Sequence, residues 1–286
     1  MARAVGAVAL LGASAVLVAC GGGGGSSIAA DSVAKAATKT SNVKSYRVTT
    51  LTSMELPNTS RKVTFRGTGA YAPNGRRGRL ELDLSELNQV LGPQGSPYNF
   101  GHVQMIMNGT AMYMRIPFLK QIQPSLRPWI KIDLQRAAQA QGVDFSSFLQ
   151  WGAGGDPTQT LQYLRAAGKV DKVGIEQVRG VQTTHYKAVV DLRKVAEKAP
   201  TKDRDALRRS VDRMITLTGQ KRIPVEIWID KDGLVRRESY REQLLVQSSK
   251  TQLDSSLELY DFGAPVAAPV PAKSLVTDLT NLTTGS

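Results

Sequence analysis

Apolar and polar residues alternate with a period of two along most of the chain after residue 42. In residues 43–56, one side of the alternation carries Tyr46, Val48, Thr50, Thr52, Met54 and Leu56. Such alternation is typical of a strand with one buried face. The dipeptides Asn108-Gly109 and Asp232-Gly233 are typical hairpin turns between such strands. The pattern therefore predicts about ten strands joined mainly by short turns.

Two glycines interrupt the apolar side of the second strand. The segment KVTFRGTGAY places Gly67 and Gly69 on the same side as Val63, Phe65 and Tyr71. Glycine inside a strand indicates a bend or a bulge. Helical periodicity is confined to a few stretches, including one from Ser27 to about Asn42, capped by Asp31, and one over about 202–218. We predict an α+β protein with one strongly curved antiparallel sheet.

Three predicted strands end in Asp-Leu and lead into predicted helices. The aspartates are Asp83, Asp133 and Asp191. An aspartate at this point accepts hydrogen bonds from free backbone N–H groups of the helix start, so we interpret the three as caps. A set of catalytic carboxylates is the alternative. Asp156 before Pro157 predicts one more capped helix. WGAGGDP at 151–157 is interpreted as its capping loop, and an anion site at the helix start is the alternative.

The composition argues against several classes of site. The chain has one cysteine and two histidines, His102 and His185, far apart in sequence, so neither a disulfide nor a histidine-rich metal site is expected. A GxSxG nucleophile motif is absent from the mature chain, and both histidines lie in predicted strands. The net charge of +13 favours contact with anionic surfaces. The basic residues are scattered along the chain, however, and no nucleic-acid-binding motif accompanies them. We expect no catalytic set, no metal and no nucleic acid.

The first 19 residues form an apolar segment too short to span a bilayer. Arg3 precedes the uncharged run AVGAVALLGASAVLV, which is about 15 residues long, whereas a spanning helix needs about 20. These dimensions are typical of a signal peptide. The run ends in Leu17-Val18-Ala19-Cys20, which resembles a bacterial lipobox. The resemblance implies cleavage by signal peptidase II between Ala19 and Cys20 and a diacylglyceryl group on Cys20, carrying acyl chains such as palmitate, with or without an N-acyl group.

The residues after Cys20 are interpreted as a leash. Gly21–Gly25, Ser26 and Ser27 form a run whose composition is that of a flexible linker spanning about 15 Å. The run lacks the Lys-Ser/Thr of a phosphate-binding loop. We therefore divide the chain into a signal peptide at 1–19, a lipidated cysteine with its linker at 20–27, and one domain at 28–286. We expect a monomer on the extracytoplasmic face of the cell membrane, with no cofactor other than the lipid on Cys20.

Four methionines lie in one predicted hairpin. Met105, Met107, Met112 and Met114 fall on matching sides of their strands. Methionine is flexible and polarizable and lines adaptable apolar sites, although it also fills ordinary cores. The cluster therefore indicates either core packing or a soft apolar cavity.

The order of these segments resembles a family of bacterial lipoproteins. The strongest similarity is in VGIEQVRGVQTTHYKAVVDL and IPVEIWIDKDGLVRRESY, following GTAMYMRI and PWIKIDL. They resemble the actinobacterial LppX/LprG-type lipoproteins and their relatives with the LolA/LolB-like fold. The resemblance implies a half-open barrel whose concave side, partly covered by helices, holds acyl chains without catalysis. The expected function is binding or carriage of a lipid or glycolipid in the cell envelope.

The inward positions of such a sheet give the candidate cavity residues. They are Val48, Phe65, Leu82, Met105, Met114 and Ile227. A register error of one residue would reverse the face of any strand, so periodicity alone leaves the inward face open. An envelope sensor or scaffold that binds a protein partner with the same fold is the alternative function. A hydrolase would require a serine and an acid to converge on a histidine such as His185.

Overall fold

The computed structural model describes residues 27–55, 61–89, 99–136, 170–198, 201–246 and 249–280. The predictions on the signal peptide, Ala19, Cys20, the glycine run, Leu56 and the segment 151–169 lie outside these ranges. So the division of the chain at residues 19 and 27 stays a prediction.

The described strands form one sheet of twelve strands. Its order is β12-β6-β5-β4-β3-β2-β1-β11-β10-β9-β8-β7, so β12 and β7 are the two edges and the sheet does not close on itself. The expected α+β fold with a single curved antiparallel sheet is confirmed. The strands are β1 Tyr46–Glu55, β2 Lys62–Ala72, β3 Arg77–Asp83, β4 His102–Asn108, β5 Ala111–Arg115, β6 Trp129–Asp133, β7 Val170–Val178, β8 Val181–Asp191, β9 Arg222–Asp230, β10 Val235–Val246, β11 Ser249–Tyr260 and β12 Val276–Asp278.

The glycines of β2 bring two strands unusually close on one face of the sheet, which we call the inner face. Gly67 lies opposite Leu82, and Gly69 lies opposite Leu80. A Cβ atom on Gly69 would overlap the Arg79 carbonyl oxygen and lie 3.1 Å from Leu80 Cα, and one on Gly67 would lie 2.5 Å from Leu82 Cδ2. Only glycine permits this approach without displacing the neighbouring strand. The register of β2 with β1 and β3 is continuous at both glycines, so neither marks a bulge, and a bend there stays a prediction.

Four α-helices have both their first and last residues within the described ranges. They are α1 Ser27–Ser41, α2 Leu119–Ile122, α3 Leu192–Lys198 and α4 Thr201–Thr218. Ala30, Val33, Ala34 and Ala36 of α1 pack with Val170, Ile227 and Val235 in the larger buried cluster. The end of α1 is fixed because the Val235 amide donates to Thr40 Oγ1 at 2.9 Å. α1 therefore covers the inner face over the β7–β10 half.

The three Asp-Leu aspartates act as predicted, but Asp31 does not. Asp83 Oδ1 accepts from the Ser85 amide at 2.9 Å, and Asp133 Oδ1 accepts from the Gln135 amide at 3.0 Å. Asp191 Oδ1 accepts from the Arg193 amide at 3.1 Å. The predicted cap at Asp31 is wrong, because α1 already begins at Ser27 and the N–H groups that need a cap belong to its first turn.

The segment after Gly263 begins beside Ser45 and ends on the β6 edge of the sheet. Its last part, β12, pairs with β6 in parallel, which the sequence did not indicate. Arg127 Nη1 donates to the carbonyl of Lys273 at 3.0 Å, and Lys131 Nζ lies 2.7 Å from Asp278 Oδ2. The Lys131 ammonium and the Thr280 hydroxyl lower the pKa of Asp278 to about 2. These contacts cover what would otherwise be an open sheet edge.

Candidate functional site

The strand registers place all six candidate cavity residues on the inner face. Directly opposite residues of neighbouring strands share a face. Met105 lies opposite both Leu80 and Met114, and Thr52 lies opposite Phe65. On the other side of β1, Val48 pairs with Leu259, and Ile227 pairs with Glu238. These pairings trace one face from β5 to β9, so the six residues share it. Whether they line a ligand cavity stays a prediction.

The six residues differ in how far they are buried. Ile227 belongs to the cluster beneath α1, whereas Phe65 and Leu82 belong to a second cluster over β2–β4. Val48 is also buried, between these two halves of the sheet. Met105 and Met114 are only partly buried and pack against the second cluster. The candidate site is therefore the β2–β6 half of the inner face, where apolar side chains remain accessible.

Four methionines form a partly accessible apolar surface in this half, and we call them the methionine patch. Met105 lies opposite Met114, and Met107 lies opposite Met112. All four are half-buried. Ile130 and Ile132 of β6 continue the same face beyond Met114 and Met112. Unbranched thioether side chains repack at low cost, so the patch can adapt to a flexible apolar ligand.

A polar strip crosses the inner face between the methionine patch side and the helix-covered side. The Thr52 and Ser255 hydroxyl oxygens lie 3.2 Å apart, and Ser255 lies opposite Tyr240. The strip consists of Thr50, Thr52, Glu238, Tyr240, Glu242 and Ser255. The strip was not predicted, although Glu238, Tyr240 and Glu242 fall on the same side of the alternation in β10. Leu253 and Leu257 of β11 interrupt the strip, so it is a set of polar positions within a mainly apolar face.

Glu238 is the most unusual member of the strip. It is only 4% exposed, and its Oε1 has no hydrogen-bond partner in the described part of the chain. Burial raises the pKa of Glu238 to about 8. Burial, and then Tyr71 and Glu238, raises the pKa of Tyr46 well above its usual range, and burial also raises the pKa of Glu242. At neutral pH Glu238 is thus mainly a neutral acid with an unused acceptor.

His185 lies on the opposite, outer face in a network that leaves no ring nitrogen for catalysis. It is 3% exposed and stacks on Trp228 with the ring centroids 4.2 Å apart. Nδ1 lies 2.9 Å from Glu176 Oε1, and Nε2 lies 2.7 Å from Glu226 Oε2. The Trp228 indole, followed by His185, lowers the pKa of Glu176. The hydrolase alternative requires this ring to face a serine, and both nitrogens face carboxylates instead.

Other chemistry is limited in the described ranges. His102, at the start of β4, is exposed and has Nδ1 3.2 Å from Glu81 Oε1. No cluster of three or more potential metal-binding side chains occurs in these ranges. Within the same residues, none of the helices has both the length and the apolar character needed to cross a membrane.

Comparison with known sequences gives one partial match. No protein-family model matches the chain. An uncharacterised 31.2 kDa protein of Streptomyces griseus, from the rplA-rplJ intergenic region, is 29% identical over 150 residues. The match covers 52% of this chain and 48% of that protein, so it spans about half the length of the relative.

Solved structures of similar shape include members of the group that the sequence resembles. Lipoprotein LppX of Mycobacterium tuberculosis is 11% identical, with a TM-score of 0.47 over 84% of this chain and 97% of LppX. LprF of Mycobacterium bovis is 14% identical, with a TM-score of 0.45 over 86% of this chain and 98% of LprF. A LolA superfamily protein of Nitrosomonas europaea is 10% identical, with a TM-score of 0.28 over 85% and 94%. Since these TM-scores lie below 0.5, the site is defined by the registers and contacts of this chain alone.

Proposed function

We propose that the protein binds an acyl chain or lipid against the β2–β6 half of its inner face and performs no catalysis. The observation that carries the proposal is the methionine patch, which is a half-buried apolar surface on the same face as the buried Phe65 and Leu82. A lipid tail gains about 0.8 kcal/mol for each methylene group that it buries. An adaptable apolar surface suits such a flexible chain.

The second part of the proposal concerns the location of the protein. The sequence Leu17-Val18-Ala19-Cys20 after a charged residue and an apolar run supports lipidation of Cys20. Two or more acyl chains on one residue are enough for stable anchoring. The domain would then act as a monomer on the extracytoplasmic face of the cell membrane. There its acyl ligand can be taken from the membrane or returned to it.

Fluorescence titration of the full chain with a fluorescent acyl probe tests the binding site. In the double variant Met112→Gln/Met114→Gln, polar amides of similar size replace two members of the patch. We expect the dissociation constant to rise about tenfold, because apolar contact worth about 1–2 kcal/mol is lost. Val189→Gln, a change at an exposed apolar residue of the outer face, is the matched control and should leave binding unchanged. Failure of the unmodified chain to bind the probe, or equal effects of the two variants, would contradict the proposal.

A further inference from the structure

An apolar depression lies beside the methionine patch, where β5 leads into α2 and on to β6. It has a volume of about 230 Å³. Its apolar lining includes Ile116, Leu119, Leu126 and Ile130. None of the four methionines and none of the six candidate cavity residues lines it. The depression therefore adjoins the methionine patch, since Ile130 continues the face of Met114 and Ile116 packs in the cluster of Phe65 and Leu82.

Three cations surround this apolar lining. Arg115, Lys120 and Arg127 all line the depression, and no carboxylate does. The guanidinium of Arg127 is held in place, because Nη1 donates to the carbonyls of Lys273 and Val276 at 3.0 and 3.2 Å. Arg115 and Lys120 are exposed, and no carboxylate of the described residues pairs with them. Two positive charges thus remain uncompensated beside an apolar surface.

A second depression in the described residues shows what distinguishes the first. It is lined by Asp191, Arg193, Gly219, Lys221 and Arg222, with no large apolar side chain. Its arginines already have partners, since Arg222 Nε lies 3.7 Å from Asp191 Oδ2 and Arg193 Nε lies 3.5 Å from Asp212 Oδ1. The first depression instead combines apolar lining with cations that lack carboxylate partners.

We infer that the depression between β5 and β6 binds one acyl chain of an anionic amphiphile. The apolar lining receives the end of the chain next to the head group, and Arg115 and Lys120 hold the carboxylate or phosphate. Arginine can hold such a group with two parallel hydrogen bonds, and lysine adds a point charge. The depression adjoins the proposed inner-face site, because Ile130 belongs to both, but Arg115 and Lys120 belong to the depression alone.

Binding of single-chain lipids to the full chain tests the inference. The probes are lysophosphatidylglycerol, lysophosphatidylcholine with the same acyl chain, and inorganic phosphate. All are measured in the Met112→Gln/Met114→Gln background, so that the inner face contributes little. We expect lysophosphatidylglycerol to bind at least tenfold more tightly than lysophosphatidylcholine. We also expect Arg115→Glu/Lys120→Glu to remove that preference.

The matched control reverses two charges of the second depression. Lys221→Glu/Arg222→Glu changes the net charge by the same amount and should leave the preference intact. An equal loss in both variants would show a general charge effect and overturn the inference. Competition by inorganic phosphate at the concentration of the lysolipid would overturn it too, because it would reveal a simple anion site. The acyl-probe titration of the inner face is a separate readout, so either proposal can fail alone.

Discussion

At the scale of single residues, Glu238 is the group whose burial brings the chain no evident structural benefit. Glu238 pairs with Ile227 of β9 and Leu257 of β11, so its cross-strand neighbours on the inner face are both apolar. Burying a polar atom without a hydrogen bond costs about 1–3 kcal/mol. An apolar residue at this position would avoid that cost. The polar strip, unlike the His185 network, therefore has unused hydrogen-bonding capacity facing the interior.

The raised pKa of Glu238 predicts a pH dependence of stability. The carboxyl loses its proton near pH 4.5 in the unfolded chain and near pH 8 in the folded protein. Between these values the folded state binds more protons than the unfolded state, so stability falls as the pH rises and levels off above pH 8. The contribution of this group is at most about 1.4 kcal/mol per pH unit. Tyr46 and Tyr71 face the same region, but their raised pKa values keep them neutral over this range.

The variant Glu238→Gln isolates this effect. Urea unfolding between pH 5 and 8 should show that its stability, relative to the unmodified protein, improves as the pH rises. The reason is that glutamine has no proton to lose. Glu197→Gln, at an exposed position of α3, is the control and should leave the slope unchanged. A slope that is the same in Glu238→Gln and the unmodified protein would contradict the prediction.

At the scale of elements, the close approach of β2 and β3 depends on the absence of a side chain at Gly69. Gly69→Ala introduces a Cβ that overlaps the carbonyl oxygen of Arg79. Because that atom belongs to the backbone, the strands must separate to admit it. We expect thermal or urea unfolding to show a loss of about 1–3 kcal/mol.

Gly174→Ala is the matched control for this change. A Cβ on Gly174, in strand β7, would meet no atom within 4 Å. Its stability should stay within about 0.5 kcal/mol of the unmodified protein. If both alanine variants lost the same stability, the cost would reflect strand glycines in general, and the close approach at Gly69 would not explain it.

Local patterns predicted the elements better than they predicted how the elements combine. The turns at Gly109 and Gly233 have positive φ angles of 63° and 72°, as the Asn-Gly and Asp-Gly signals indicate. The caps of Asp83, Asp133 and Asp191 are equally local. The parallel pairing of β12 with β6 joins residues about 150 apart, and no local preference encodes it. The polar strip was missed because its members are far apart in sequence and meet only through the registers of β1, β10 and β11.

At the scale of the whole molecule, the sheet has two unequal halves on its inner face. One half is filled by α1 and the residues packed with it, including Val211 and Ile215 of α4. The other half is covered in part by Leu87, Phe100, Phe118 and Leu119 and leaves the methionine patch half-buried. The C-terminal segment secures the β6 edge of this second half. The half that carries the candidate site is thus held at its edge, while part of its face remains accessible.

The proposed anchor and the proposed binding face are separate parts of the chain. A substitution that removes the anchor should therefore leave ligand binding intact. Cys20 precedes α1 by seven residues, and the intervening glycines and serines span about 15 Å. With Cys20→Ser, the diacylglyceryl group has no sulfur to which it can be attached. The protein should then no longer incorporate a labelled fatty acid in the expressing cells, although its uncleaved signal peptide keeps it at the membrane. Its affinity for the acyl probe and its melting temperature should stay the same, because the methionine patch and both buried clusters are unaltered. Fatty-acid incorporation by Cys20→Ser would show a second acylation site, and a loss of probe binding would show that the anchor's own acyl chains contribute to the site.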